Sequence, residues 1–333
     1  MSAVNPHDSL VRTVFSDLEN AVGELRSVLP PAVADRLEWA TLKLEPGSFV
    51  DPELRDRHTD LLFSVNVKSR RQQVFIYVLL EHQSSPDHWM ALRLLRYMLR
   101  IWEWFLTNSP DAKRLPAILP LVLAHGPRRW NAPMELLTLM DLPEPTRKVL
   151  RPFVPNFRYA LDDLARFDDA ALLSRAMTEY AKLTLFFLQN ARSGSGWFTR
   201  LGTWGDVFRA LLRRPTGARA LTTLVHYVSL VVDGPVSEEF RKALEAAAGP
   251  EVKEVVMTWA ETLRSEGETR GEARGRAGML LEILTSRGLV VTDPVREQIL
   301  GCRDLATLRA WGLRAVTVAS AEEVVAPGPS AAG

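Results

Sequence analysis

The chain has 333 residues, 41 basic against 40 acidic, a formal charge of +1 and a single cysteine, Cys302. One cysteine excludes a disulfide framework and cysteine-based zinc sites, and the near-zero charge excludes a polybasic coat while leaving room for a local basic face. Apolar residues at 47% and charged residues at 24% are the proportions of a globular chain that buries a sizeable core in one large or two modest domains.

The opening residues, MSAVNPHDSLVRTVF, have no basic segment leading into an apolar one, so no signal peptide is expected. No window approaches 18 uncharged apolar residues, so no membrane span is expected, and a reducing cytoplasm is the default. Residues 8–29 read as a helix: Leu10, Val14, Phe15, Leu18, Val22 and Leu25 recur at helical spacing, and Pro30-Pro31 stops the run. A shorter helical patch covers 32–40. Residues 41–44 alternate as a strand, and Glu45-Pro46-Gly47-Ser48 signals a turn. Over 59–67, Leu61, Phe63, Val65 and Val67 share one face, with Asp60, Leu62, Ser64 and Asn66 on the other.

The polar run 68–73 predicts a hairpin loop, and 74–83 predicts a buried central strand, apolar on both faces. An amphipathic helix follows over 88–107, with Leu92, Leu95, Met98, Leu99 and Trp102 as its core side and Arg93, Arg96 and Arg100 along another. PAILPLVLA (116–124) predicts a short strand closed by His125-Gly126-Pro127. Helix, three strands, helix and strand make an α/β sandwich with a mixed sheet.

Prolines punctuate 133–155. Helical patterns then dominate 162–191, 204–213, 217–232 and 236–264, with SGSGW (193–197) as a loop. From 265 the sequence EGETRGEARGRAG is charged, with glycines at 267, 271, 275 and 278, and reads as a flexible helical arm or an oligomerisation element. Helical patterns return at 279–287 and 293–312, and the closing APGPSAAG reads as disordered.

The chemistry concentrates in VFIYVLLEHQSS, residues 74–85. An acid at the end of an otherwise buried strand costs free energy unless it is paired or ligated. Strand alternation puts Glu81 and Gln83 on one face, and Asp60 lies on the antiparallel neighbour. Two carboxylates at one sheet edge, with the backbone carbonyl of His82, make an oxygen cage suited to Mg²⁺. Such an ion lowers the pKa of a bound water, as phosphodiester hydrolysis requires, while Gln83 orients that water or the scissile phosphate. The plain alternative leaves Glu81 solvated or salt-bridged to a helix arginine, and both readings are open here.

Neighbouring residues divide the same way. Asp8 opens the first helix, either favoured there by the dipole or placed near a metal. His82 is expected to be structural, and His125-Gly126 a turn. Arg93, Arg96 and Arg100 form a solvated face or a phosphate-binding one. Tyr97 reads as core. The nine tryptophans form no evident stacking platform, and 194–197 lacks a phosphate-loop pattern.

HDSLVRTVFSD (7–17), SFVDPELRDRHTDLLFSV (48–65), LLEHQSS (79–85), LRLLRYMLRIWE (92–103) and LPLVLAHG (119–126) together resemble the Rpn family of recombination-promoting nucleases, transposase-like proteins of the PD-(D/E)XK nuclease superfamily. The resemblance implies a PD-(D/E)XK-like core over 5–130, a mainly helical region over 131–264 and a charged helical tail over 265–333. It also implies a metal-dependent DNA endonuclease using Mg²⁺ or Mn²⁺. Asp60 then matches the superfamily's first acid and Glu81-His82-Gln83 its (D/E)XK element. Asp8 matches an acid from the first helix, with Glu19 and Glu24 behind it. Gln83 departs from the lysine of that element. It carries no charge to offset a developing phosphorane, which shifts the load to the metal and to Lys68, Arg93 or Arg96. The departure keeps open a second reading, a catalytically weak or inactive DNA- or protein-binding module.

Overall fold

The computed structural model describes residues 5–46, 60–68, 73–81, 86–126, 128–232 and 237–326, with the side chains of Asp60, Gln73, Leu79, Leu80, Glu81, Val256 and 258–270 outside the description. The chain forms two compact units, Met1–Val256 and Met257–Gly333.

Two helices, α1 (Pro6–Phe15) and α2 (Leu18–Val28), replace the single one expected over 8–29. The apolar spacing runs through the corner, but Asp17 breaks the helix: its carboxylate accepts from the Glu19 N–H at 2.9 Å and caps α2. After α3 (Pro31–Ala34), β1 (Leu37–Leu44) takes residues that pattern alone assigns to a helix over 32–40. Its backbone pairs antiparallel with β2 (Asp60–Val67), from Leu37 opposite Val67 to Leu44 opposite Phe63, and this cross-strand ladder outweighs a short helical pattern.

The strands β3 (Gln73–Glu81), β4 (Ala117–Ala124) and β5 (Ala160–Asp163) complete a mixed sheet of order β1-β2-β3-β4-β5. Neighbours are antiparallel up to β3 and parallel from there on. Helix α4 (Met90–Asn108) is the crossover that the parallel β3–β4 pair needs. The fifth strand corrects the sequence reading, which begins a helix at 162. Ala-Leu-Asp-Asp has poor strand propensity and becomes a strand only because β4 offers it a parallel edge.

One sheet face carries Leu62, Phe75, Tyr77, Ile118, Val122 and Ala124, which pack with Met90, Leu94, Tyr97 and Ile101 of α4. The core side of α4 is thus the 90/94/97/101 stripe, with Leu95 and Trp102 only partly buried against it, whereas Leu92 and Leu99, expected inside, are exposed. The opposite face buries Leu61, Phe63, Val65, Ile76, Val78, Leu121 and Leu123. There α2 lies against β1 and β5, and α1 against α2.

A helical layer follows: α5 (Glu144–Leu150), α6 (Asp169–Leu173), α7 (Glu179–Asn190), α8 (Gly205–Leu212), α9 (Gly217–Val231) and α10 (Glu238–Ala248). Helix α7 is apolar nearly all round and therefore central. Its Phe186 and Phe187 meet Trp197, Trp204, Phe208 and Phe240 in tilted and edge-on pairs.

The helix expected over 236–264 divides at Gly249, whose φ of 101° only glycine adopts readily, into α10 and α11 (Glu251–Ser286). All four glycines of the charged stretch lie within α11. The pattern at 293–312 resolves into α12 (Asp293–Gly301) and α13 (Leu305–Ala315), parted where the Asp304 carboxylate accepts from the N–H groups of Ala306 and Thr307. With α14 (Ala321–Val325) they enclose Ala277, Leu280, Leu284, Ile299, Leu308 and Trp311, the core of the second unit. The tail expected to be disordered lies outside the described residues past Ala326. Among the described residues no helix is long and apolar enough to cross a membrane.

Candidate active site at one end of the sheet

Register decides which acids share a neighbourhood. Asp60 stands opposite Leu79, and Glu81 lies two residues farther along β3. The two positions are therefore diagonal cross-strand neighbours, roughly 7–8 Å apart. Strand alternation gives both the parity of Leu62 and Tyr77, the face covered by α4. The pair thus occupies one face and one end of the sheet. Its oxygen-only donors fit a hard divalent cation such as Mg²⁺. His82 and Gln83 lie outside the described residues. Among the described residues no three His, Cys, Asp or Glu side chains gather as a metal site.

The other predicted residues divide by position. Lys68 follows Val67 at the far end of β2, where its N–H donates to the Arg36 carbonyl at 2.8 Å. That is eight residues along the chain from Asp60, roughly 27 Å at strand rise, so the structure does not bring Lys68 to the acids. Arg93 is ion-paired to Asp87 at 3.0 Å, and Arg96 is exposed on the outside of α4. Asp8 is half-buried in the first turn of α1, beside His7. The His7 ring lies 4.6 Å from that of His125, the residue after β4, and its Nδ1 is hydrogen-bonded to the Tyr227 hydroxyl at 2.7 Å. Ala124 is the register partner of Glu81, so the α1 N-terminus reaches the same end of the sheet. It does so from the other face, because His125 has the opposite parity to Ala124. Burial pushes the Tyr227 hydroxyl well above its ordinary pKa, which keeps it a neutral partner for His7.

Two carboxylates missed by the sequence reading end β5. Asp163 continues the row Glu81–Ala124–Asp163, and its Oδ2 accepts from the Trp130 N–H at 2.8 Å and from Arg166 Nε at 2.9 Å. It ties the chain after β4 to β5. The Trp130 ring N–H donates to Tyr159, whose hydroxyl pKa is pushed up to about 12, chiefly by burial. Asp162, of opposite parity, is held by both Nη groups of Arg175 at 2.7 Å each, and Glu24 of α2 lies 3.4 Å from the same guanidinium. Burial, then the neighbouring charge of Asp162, raises the Glu24 pKa well above the ordinary carboxyl range, although Arg175 pulls the other way. Glu24 Oε1 has no hydrogen-bond partner among the described residues. Glu24 is therefore a buried acid beneath the sheet, and Glu19, the other fallback from the first helices, is paired to Arg214 at 3.0 Å. No local pattern marks Asp162 or Arg175, which fall in a stretch that reads as helix.

The family profile described as Putative transposase, YhgA-like matches residues 5–218, which include all five strands. The chain belongs to this family. Its similarity to curated relatives extends over most of its length. The recombination-promoting nuclease RpnA of Escherichia coli (strain K12) is 28% identical over 303 residues, 90% of this chain and 96% of that one. The recombination-promoting nuclease RpnD of Escherichia coli O157:H7 is 28% identical over 264 residues, 78% of this chain and 95% of that one. The inactive recombination-promoting nuclease-like protein RpnE of strain K12 is 28% identical over 282 residues, 84% and 88% of the two chains. No solved structure matches the chain.

Proposed function

We propose that this YhgA-like protein is a metal-dependent DNA endonuclease whose Mg²⁺ or Mn²⁺ is held by Asp60, Glu81 and the backbone carbonyl of His82. The observation that carries the reading is the diagonal placement of Asp60 and Glu81 on one face at one end of the sheet. The names of RpnA and RpnD support it at the level of nuclease. A bound cation supplies an acidified water and a polarised phosphate. Gln83 orients that water or the phosphate through its amide but adds no charge. Arg93 sits in the first turn of α4 with Asp87 fixing its guanidinium, so it contributes a positioned rather than a mobile cation.

A second reading rests on Gln83 and on the label of RpnE as inactive: the same fold kept as a DNA- or protein-binding module. Supercoiled plasmid incubated with Mg²⁺ or Mn²⁺ separates the two. Nicking by the natural chain that is lost in both Asp60→Ala and Glu81→Ala supports the nuclease. Nicking that survives both substitutions overturns the site. DNA retention without cleavage by all three proteins selects the binding module.

A further inference from the structure

The outer face of α4 has an organisation that the nuclease reading leaves unused. Leu92, Leu99 and Leu106 are 44%, 49% and 44% exposed and recur every seven residues. A straight helix drifts only about 20° per heptad, so the three leucines form one stripe along the exposed side. Arg96 and Glu103 lie together on one flank of that stripe, at 3.6 residues per turn. Both are exposed, and Glu103 also receives Arg100 at 3.0 Å. Arg96 makes no ion pair among the described residues.

We propose that this face docks a second copy of the chain, with the two α4 helices antiparallel about a two-fold axis at Leu99. The geometry selects this occupant by charge. About such an axis Leu99 meets Leu99 of the second copy, and Leu92 meets its Leu106. The rotation keeps both charged flanks on the same side of the seam. Arg96, three residues before the axis, then faces Glu103 of the second copy, four residues after it. The axial mismatch is one residue, about 1.5 Å, and the symmetry repeats the pair. A parallel pairing sends the two flanks to opposite sides, and neither arginine finds a glutamate. The leucine seam supplies the burial, and the two ion pairs select the orientation.

The test uses the full chain and reads mass and cross-linking, so its outcome is independent of cleavage. Sedimentation velocity at micromolar concentration should give twice the 37.3 kDa chain mass. Arg96→Glu and Glu103→Arg should each weaken the dimer roughly tenfold, and the double exchange should restore it. In a Cys302→Ser background Leu99→Cys should cross-link to itself under oxidation. Leu92→Cys and Leu106→Cys should each stay uncross-linked alone and form a mixed disulfide when combined. The substituted residues of α4 are exposed and Cys302 is half-buried, so unchanged circular dichroism and thermal midpoints would show that folding is intact. A monomeric natural chain overturns the proposal. So does self-cross-linking at Leu92 and Leu106, which marks a parallel pairing, or a dimer indifferent to Leu99→Glu, which places the interface elsewhere.

Discussion

Arg175 grips the carboxylate of Asp162 through two hydrogen bonds of 2.7 Å, both side chains nine-tenths or more buried beneath β5. The pair joins the end of the sheet to the loop before α7, and Arg175 also stacks on the Phe167 ring at 4.4 Å. Removing the guanidinium leaves a buried carboxylate uncompensated, a defect that costs about 3–5 kcal/mol. Arg175→Met should lower the urea midpoint by that measure, while Arg175→Met combined with Asp162→Leu should recover much of it. A single variant as stable as the natural chain would show that the pair is dispensable.

Glu24, beside that pair, sets a pH dependence. Its folded pKa lies well above the ordinary 4.5, first because it is buried and second because Asp162 is near. Between those two values the native state keeps a proton that the unfolded chain has released, so stability falls as pH rises. The contribution is complete below pH 4.5 and is lost as pH passes the folded pKa. Urea titrations across that window should show the decline in the natural chain and a flatter profile in Glu24→Gln. Equal slopes would remove Glu24 from the account.

Asp163 anchors the segment after β4 by accepting from Trp130 and Arg166. Asp163→Ala strands the buried Trp130 N–H, so a loss of about 1–3 kcal/mol is expected in denaturant unfolding. Asp163→Asn, which keeps one carbonyl oxygen, should lose less.

Cation binding at Asp60 and Glu81 should be visible without any cleavage. An ion at 100 times its dissociation constant stabilises a fold by about 2.7 kcal/mol. The thermal midpoint should therefore rise with Mg²⁺ or Mn²⁺, return with chelator, and stay put in Glu81→Gln. A rise of equal size in the variant would place the ion elsewhere.

Gly217 opens α9 where the chain turns back on α8. A Cβ there would run into the Leu211 carbonyl oxygen, a backbone atom that cannot step aside. Gly217→Ala should cost about 1–3 kcal/mol, read as a lower urea midpoint, although alanine is the better helix former.

The sequence by itself determined the strands of the hairpin, the β4 run, the long α4 and the acid that follows the apolar run VFIYVLL. These are legible because alternation and helical period are set by backbone geometry within a few residues. The motif segments also carried the family, since they fix residue types at chemically constrained positions. Only the tertiary structure decided that Ala160–Asp163 is a strand, because its edge is supplied by β4. Long-range packing likewise turned the apolar stripe Leu92–Leu99–Leu106 away from the sheet, as the 90/94/97/101 stripe filled that contact first. It also brought Glu24 to Arg175, 151 residues away, and a buried contact between such distant segments leaves no periodic trace in the chain.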